Sequence, residues 1–196
     1  MNSSDDTLPL PVSADDPRVP LLDALARYGE RCPEEKPQVE QFRAFVASHA
    51  DCLYRELAAG HLTASAWLVD ADGRRALLLH HRKLDRWLQP GGHTDGNADL
   101  SASALREAEE ETGIEGLQVE PDIFDLDRHR IPGRAHEAEH WHYDVRYVVR
   151  APRDAHAAIN HESRAMAWRS IADLDKDDFL DGSIRRMARK WLARQE

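Results

Sequence analysis

The spacing of apolar residues divides the chain into helical and extended segments. Apolar positions three and four residues apart predict helices over 21–29, 39–59 and 184–192. Shorter apolar or alternating stretches predict strands over 61–70, 75–81, 87–89, 117–126, 141–150 and 166–168. The polar stretch between 127 and 140 is predicted to be a connection. Strands that alternate with helices indicate an α/β layered domain with a mixed sheet.

A further helix, over residues 100–112, concentrates acidic side chains on one side. Glu107, Glu110 and Glu111 stand at i, i+3 and i+4, while a separate apolar stripe is formed by Leu100, Ala104, Leu105 and Ala108. Ser101 or Asp99 can cap the start of this helix, and Gly113 is suited to its end. The spacing therefore predicts a short, bounded helix with three neighbouring carboxylates.

Two glycines precede this helix and change how its acidic face is interpreted. Without them, a solvated acidic face would be a sufficient explanation, because like-charged neighbours cost a helix only about 0.2–0.5 kcal/mol per pair. Gly91 and Gly92 allow a turn with positive φ or a close approach of the backbone. Carboxylates beside such a backbone suit Mg²⁺, which takes oxygen ligands and keeps waters for a phosphate substrate. We therefore interpret residues 91–114 as a metal site.

The same residues resemble the signature of the Nudix hydrolase family. That signature is a glycine, five residues, a glutamate, seven residues, and then Arg-Glu, an apolar residue, any residue, Glu-Glu, any residue, glycine and an apolar residue. The matching positions here are Gly92, Arg106, Glu107, Ala108, Glu110, Glu111, Gly113 and Ile114. The resemblance implies an α/β/α sandwich with a mixed sheet, formed by residues 61–196. Residues 1–60 are then an N-terminal arm and a helical extension.

One position departs from the family pattern. Ala98 stands where the signature has its first glutamate, and Asp95 and Asp99 are the nearest carboxylates in sequence. We expect one of these two aspartates to supply the missing carboxylate.

The resemblance implies hydrolysis of a pyrophosphate bond in a nucleoside diphosphate linked to another group, with Mg²⁺ or Mn²⁺. The implied metal ligands are Glu107, Glu110, Glu111 and the carbonyl of Gly91. Catalytic roles are expected for Glu110, for Arg106 as the residue that holds the carboxylates, and for Glu162. Glu162 lies before the last predicted strand, where the family often places a further ligand or general base, and His161 competes with it for the proton.

Substrate contacts are expected from residues outside the acidic helix. His93 directly follows the two glycines, and His140, His142 and Asp144 share one face of a predicted strand. These histidines, Arg146 or Tyr143 can contact phosphate or base if the strand borders the cleft. A His-x-His pair on a strand can also converge on a transition metal, although such pairs are more often solvated or hydrogen-bonded.

The net charge and the cysteine content limit the classes of partner and of metal site that the protein is expected to have. The net charge of −10 disfavours general binding to nucleic acid or to an anionic membrane, and it would repel a phosphate substrate without a cation. Cys32 and Cys52 are too few for a disulfide framework or a zinc site. With no signal peptide or transmembrane run apparent, we expect a cytoplasmic protein with a small nucleotide-type substrate. A homodimer is compatible with the sequence.

Three alternatives remain open at this point. A non-catalytic nucleotide-binding module with a degenerate signature is supported by Ala98. A prenyl diphosphate isomerase would need a cysteine near the two glycines, but Cys32 and Cys52 both precede residue 60. An RNA-end pyrophosphohydrolase should carry a basic track, against which the acidic charge argues.

Overall fold

The computed structural model describes residues 12–133, 138–158 and 163–194. Within these ranges, the strands form one mixed sheet in which β3, β2, β1, β6 and β5 follow one another, while β4 pairs with β1 and β7 pairs with β2. The strands are β1 (Gly60–Val69), β2 (Arg75–His81), β3 (Arg86–Leu88), β4 (Gly91–His93), β5 (Gln118–Ile131), β6 (His140–Arg150) and β7 (Ser163–Ser170). Only β1 and β6 run parallel; the other pairs are antiparallel.

Helices cover both faces of this sheet. They are α1 (Val19–Arg31), α2 (Lys36–Ser48), α3 (Leu100–Thr112), α4 (Ile171–Leu174) and α5 (Gly182–Ala193). Leu62 and Ala64 of β1 pack in one core with α1, α2 and α3. Trp67 and Val69 of the same strand pack in a second core with α4 and α5. The predicted α/β/α arrangement with N-terminal helices is confirmed, and none of the described helices is long and apolar enough to cross a bilayer.

The second helix is shorter than its apolar spacing predicts. A helix over 39–59 was expected, but α2 ends at Ser48 and His49 is extended. The following carbonyls bond to other elements: Cys52 accepts from Leu62 of β1 at 2.7 Å, and Leu53 accepts from Gly96 at 3.0 Å. Leu53 is buried in the first core. Contacts with distant residues therefore override the local helical period.

Two loop predictions are also corrected by the structure. Gly91 and Gly92 do not form a turn with positive φ; they lie in β4, which pairs with Ala64 and Ser65 of β1. Residues 127–140 were predicted to be a connection, but the first five of them, 127–131, belong to β5, which ends at Ile131. Residues 127–130 of this extension are all polar, so the hydrophobic pattern did not reveal it, although they pair with residues 141–144 of β6.

Candidate active site

Helix α3 is fixed at both ends, and this sets the direction of its glutamates. The Asp99 carboxylate accepts a hydrogen bond from the amide of Ala102 at 3.0 Å and is the N-cap. Gly113 ends the helix with φ 64, a left-handed conformation that costs glycine little. Leu100, Ala104 and Ala108 are buried against the sheet. The glutamate face is consequently held beside β4.

The glycines of β4 meet two of these glutamates. Gly91 donates its amide hydrogen to Oε2 of Glu111 at 3.0 Å. A Cβ atom placed on Gly92 would lie 2.5 Å from Oε2 of Glu107, and one placed on Gly91 would collide with Ser65. Gly91 is therefore needed for the close approach of β4 to β1, and a side chain at position 92 would displace the Glu107 carboxylate. Close approach of the backbone is one of the two roles that the sequence indicated.

Arg106 links the glutamates to the same strand. Its guanidinium lies 2.8 Å from Glu107 and 3.1 Å from Glu110, and it donates to the carbonyl of His93 at 3.0 Å. Burial raises the pKa of Glu107 above its usual range, and the charge of Arg106 opposes this effect. Two carboxylates share this guanidinium, and Glu111 adds a third negative charge on the same helix, so a divalent cation would offset the remaining negative charge. The donor set fits a hard ion such as Mg²⁺ or Mn²⁺.

The two predicted substrate-contact histidines lie close together at the other end of β4. The ring of His93 is 5.5 Å from that of His142 and 4.9 Å from that of His61. His61 also lies 4.6 Å from His142. His61 did not emerge from the sequence, because it precedes His142 by about eighty positions and only the β1–β6 pairing brings them together.

Arg146 lies in a buried ionic network. Its guanidinium contacts Asp144 at 2.8 Å and both Asp125 and Asp127 at 3.4 Å, and its side chain is 3% exposed. Asp144 also accepts hydrogen bonds from Thr63 and Ser65 of β1. An arginine that is already surrounded by three carboxylates and shielded from solvent is placed to hold β1, β5 and β6 together. The predicted substrate contact at Arg146 would have to compete with these three carboxylates.

A comparison with protein families identifies the family of this chain. The family model of the NUDIX domain matches residues 60–191, which is more than half of the chain. The chain belongs to the NUDIX domain family. No curated protein matches it in sequence at a significant level.

Solved structures share this Nudix fold at low sequence identity. An Ap4A hydrolase from C. elegans, in a binary complex, is 20% identical, with a TM-score of 0.54 over 68% of this chain and 96% of that one. A MutT protein from Methanosarcina mazei Go1 is 18% identical, with a TM-score of 0.55 over 71% and 98%. The dihydroneopterin triphosphate pyrophosphohydrolase of E. coli is 16% identical, with a TM-score of 0.54 over 68% and 95%. At these identities the likeness shows the fold.

The departure at Ala98 can now be placed in the Nudix box, residues 92–114. Ala98 packs against the first hydrophobic core. The carboxylate of Asp99 caps α3 and accepts from Ser101 at 2.7 Å. Asp95 pairs with Arg55 at 2.7 Å, and the positive charge of Arg106 is among the influences that lower its pKa. Asp95 is therefore the better placed of the two to act on Arg106 and Glu107.

The remaining catalytic prediction lies outside the described residues. Glu162 and its competitor His161 fall in the range 159–162, between the two described segments that end at 158 and begin at 163. Glu162 stays a prediction from the resemblance to the Nudix family.

Proposed function

We propose that this Nudix domain is a metal-dependent hydrolase that cleaves a pyrophosphate bond in a nucleoside diphosphate linked to another group. The observation that carries the proposal is the meeting of α3 with β4, where Glu111 holds the amide of Gly91 and Glu107 lies against Gly92. The acidic face of the helix lies against the glycine strand there, and Arg106 contacts both Glu107 and Glu110.

Glu107, Glu110, Glu111 and the Gly91 carbonyl are the residues that would hold Mg²⁺ or Mn²⁺. When bound, the cation neutralises charge on the phosphates and makes a coordinated water more acidic. Arg106 positions Glu107 and Glu110 through two charge-assisted hydrogen bonds, which preserves the geometry of the carboxylates without contact with substrate.

Two carboxylates, those of Glu110 and Glu162, are proposed to act on the attacking water. Glu110 is the most exposed of the three helix glutamates, with its side chain 59% exposed, so it is accessible to water at the site. Glu162, on the segment before β7, is proposed to accept the proton of the attacking water, since the helix glutamates come from one element only. A positioned carboxylate in this role supplies about 10²- to 10⁴-fold in rate.

The proposed substrate is a small nucleotide-type molecule. A chain with net charge −10 needs a local cation to bind a polyanion, and the proposed metal site supplies one. His93 is the last residue of β4, and it is proposed to contact the substrate outside the phosphates. Ap4A hydrolase and dihydroneopterin triphosphate pyrophosphohydrolase, which share the fold, suggest dinucleoside polyphosphates and nucleoside-triphosphate-like compounds as first candidates.

A substrate screen tests this proposal. Wild-type protein would be incubated with a panel of nucleoside diphosphate derivatives, dinucleoside polyphosphates and nucleoside triphosphates, with Mg²⁺ or Mn²⁺, and product nucleotides separated by chromatography. We expect metal-dependent turnover of at least one compound. Glu111→Gln should lose it, and Glu109→Gln, an exposed change on the same helix, should keep it. Silence of the wild type across the panel would overturn the proposal.

A second candidate is a non-catalytic nucleotide-binding module. Ala98 favours it, because this side chain is packed against the core where the Nudix box ordinarily has a carboxylate. The two functions separate in one experiment, in which thermal stabilisation by each compound is measured beside turnover. A compound that raises the melting temperature without being cleaved, with either metal, favours the binding module.

A further inference from the structure

Four histidines collect at one end of the sheet, apart from the helix carboxylates. His61 begins β1 next to Gly60, His93 ends β4, and His140 and His142 lie at the start of β6. One ring nitrogen from each of His61, His140 and His142 can be chosen so that all three lie within 4.8 Å of one another. Among the described residues, no other three His, Cys, Asp or Glu side chains meet this condition.

The strand register explains why these rings share one face. His61 pairs with His142 across the parallel β1–β6 ladder, and residues at paired positions point to the same side of a sheet. His140 precedes His142 by two residues and therefore projects to that side as well. The cluster depends on the backbone of two paired strands, so it is built on rigid elements of the fold.

His61 has an environment that a hydrogen-bonded core histidine would not have. It is 1% exposed, and neither of its ring nitrogens has a hydrogen-bond partner within the part of the chain that the structure describes. Leaving a buried polar group unsatisfied costs about 1–3 kcal/mol. Both neighbouring rings of the cluster face it, with centroids 5.0 Å away for His140 and 4.6 Å away for His142.

His140 is held in the tautomer that a metal ligand needs. Its Nδ1 lies 2.9 Å from the carbonyl oxygen of Ala138. A carbonyl can only accept, so Nδ1 carries the hydrogen and the lone pair of the ring lies on Nε2. Metal-bound histidines commonly donate their other nitrogen to a carbonyl or carboxylate, which fixes the ring in this way.

We propose that His61, His140 and His142 bind one transition-metal ion of the zinc type, with a fourth position left for water or another ligand. A tetrahedral ion with Zn–N distances of about 2.0–2.1 Å places its nitrogens about 3.4 Å apart. From the 4.8 Å limit that they satisfy, the ring nitrogens therefore have to approach one another by about 1.4 Å at most. Imidazole nitrogen suits Zn²⁺, Co²⁺, Ni²⁺ and Cu²⁺, whereas Mg²⁺ requires oxygen.

Co²⁺ and Zn²⁺ are the probes that test this site. Protein without a histidine tag would be treated with a chelator, exchanged into metal-free buffer, and titrated with Co²⁺ while visible absorption is recorded. A tetrahedral histidine site gives intense Co²⁺ bands, whereas six oxygen ligands give weak ones. Zn²⁺ would then be added to displace the Co²⁺, and its affinity and stoichiometry measured by calorimetry.

Single variants assign the signal to its ligands. His142→Asn and His140→Asn are both used, so that one remains informative if the other folds poorly; circular dichroism reports the fold. We expect one intense Co²⁺ site in the wild type, in Glu111→Gln and in the exposed control His156→Ala. Each ligand variant should weaken Zn²⁺ binding by roughly 100-fold or more.

Two outcomes would overturn the proposal. One is a wild-type protein that gives no intense Co²⁺ absorption and binds no Zn²⁺. The other is Zn²⁺ binding that is unchanged in folded His142→Asn and His140→Asn. Neither outcome depends on substrate turnover, so this metal site is tested independently of the proposed hydrolase activity.

Discussion

The carboxylates of α3 and the histidines at the start of β1 and β6 are two candidate ligand sets that adjoin opposite ends of β4. Gly91 at one end bonds to Glu111, and His93 at the other end lies beside His61. The carboxylate set comes from three residues within five positions of one helix, while the histidine set joins two strands about eighty positions apart. A local set is visible in the sequence, and a set made by strand pairing becomes visible only in the fold.

The two sets also differ in charge and burial, and this predicts different ions. The glutamates carry net negative charge and include a side chain that is 59% exposed. The histidine set offers ring nitrogens, and its members His61 and His140 are buried. A hard, partly hydrated cation is favoured by the first set through charge, and a transition metal by the second through nitrogen lone pairs.

The largest effect is expected from removing one charge of the carboxylate set. Glu111→Gln should lower turnover with Mg²⁺ by about 10³-fold, because charge stabilisation by a metal is worth several kcal/mol and about 1.4 kcal/mol is tenfold. The amide oxygen of glutamine can still accept from Gly91, so the fold is preserved. Without metal the variant should be equally or more stable, since like-charge repulsion falls.

Steady-state kinetics and thermal unfolding in chelator would measure both effects for Glu111→Gln. Glu110→Gln should behave similarly, and Glu109→Gln supplies the matched control. Near wild-type turnover in both Glu110→Gln and Glu111→Gln would show that the glutamates of α3 do not bind a metal that turnover requires.

A substitution of Arg146 tests whether this arginine stabilises the fold or binds substrate. Arg146→Leu leaves Asp144 buried without its charged partner, whereas Asp125 keeps Arg186 and Lys190. Breaking such a buried pair costs about 3–5 kcal/mol of unfolding free energy. Urea denaturation measures the loss. Arg153→Leu, which removes an 80% exposed arginine paired with Asp72, should cost about 1 kcal/mol or less. An Arg146→Leu protein of normal stability with a raised KM would restore the substrate contact that the sequence predicted.

Glu162 tests whether the carboxylate set needs an acid from another segment. Glu162→Gln is expected to lower kcat by roughly 10²-fold or more, within the range of positioned acid–base groups, and His161→Ala should cost less. The dependence of kcat on metal concentration should be measured for both. An unchanged kcat in Glu162→Gln would assign the proton transfer to His161 or to an aspartate of the Nudix box.

The smallest effect is expected at the departure from the family signature. Asp95→Asn should slow turnover by less than about tenfold, because Asp95 acts on Arg106 only through an exposed charge. Ala98→Glu should likewise change the rate modestly. If Ala98→Glu instead raised a near-zero rate by orders of magnitude, the natural domain would be a binding module with a damaged box.

Features that depend on residues within one segment could be predicted from the sequence, whereas features that depend on distant residues could not. The caps of α3, its apolar stripe and its glutamates follow from residues within one segment, and the structure has them together. The end of α2 did not follow, because hydrogen bonds from Leu62 and Gly96 hold residues 52–53 outside a helix.

Side-chain roles on strands were harder to predict for the same physical reason. Periodicity placed His140, His142 and Asp144 on one face of β6. It could not tell that β5 brings Asp125 and Asp127 to the guanidinium of Arg146, or that β1 brings His61 to His142. These pairings change Arg146 from a candidate for substrate binding into a buried scaffold residue.

The most direct test of the central claim is the affinity of the protein for Mn²⁺, measured by electron paramagnetic resonance of the free ion during titration. Mn²⁺ prefers carboxylate, carbonyl and water ligands, so it reports the α3 site in preference to imidazole nitrogens. We predict that Glu111→Gln weakens Mn²⁺ binding strongly and that His142→Asn leaves it unchanged. Mn²⁺ binding that survives Glu111→Gln, or that is lost in His142→Asn, would contradict the account.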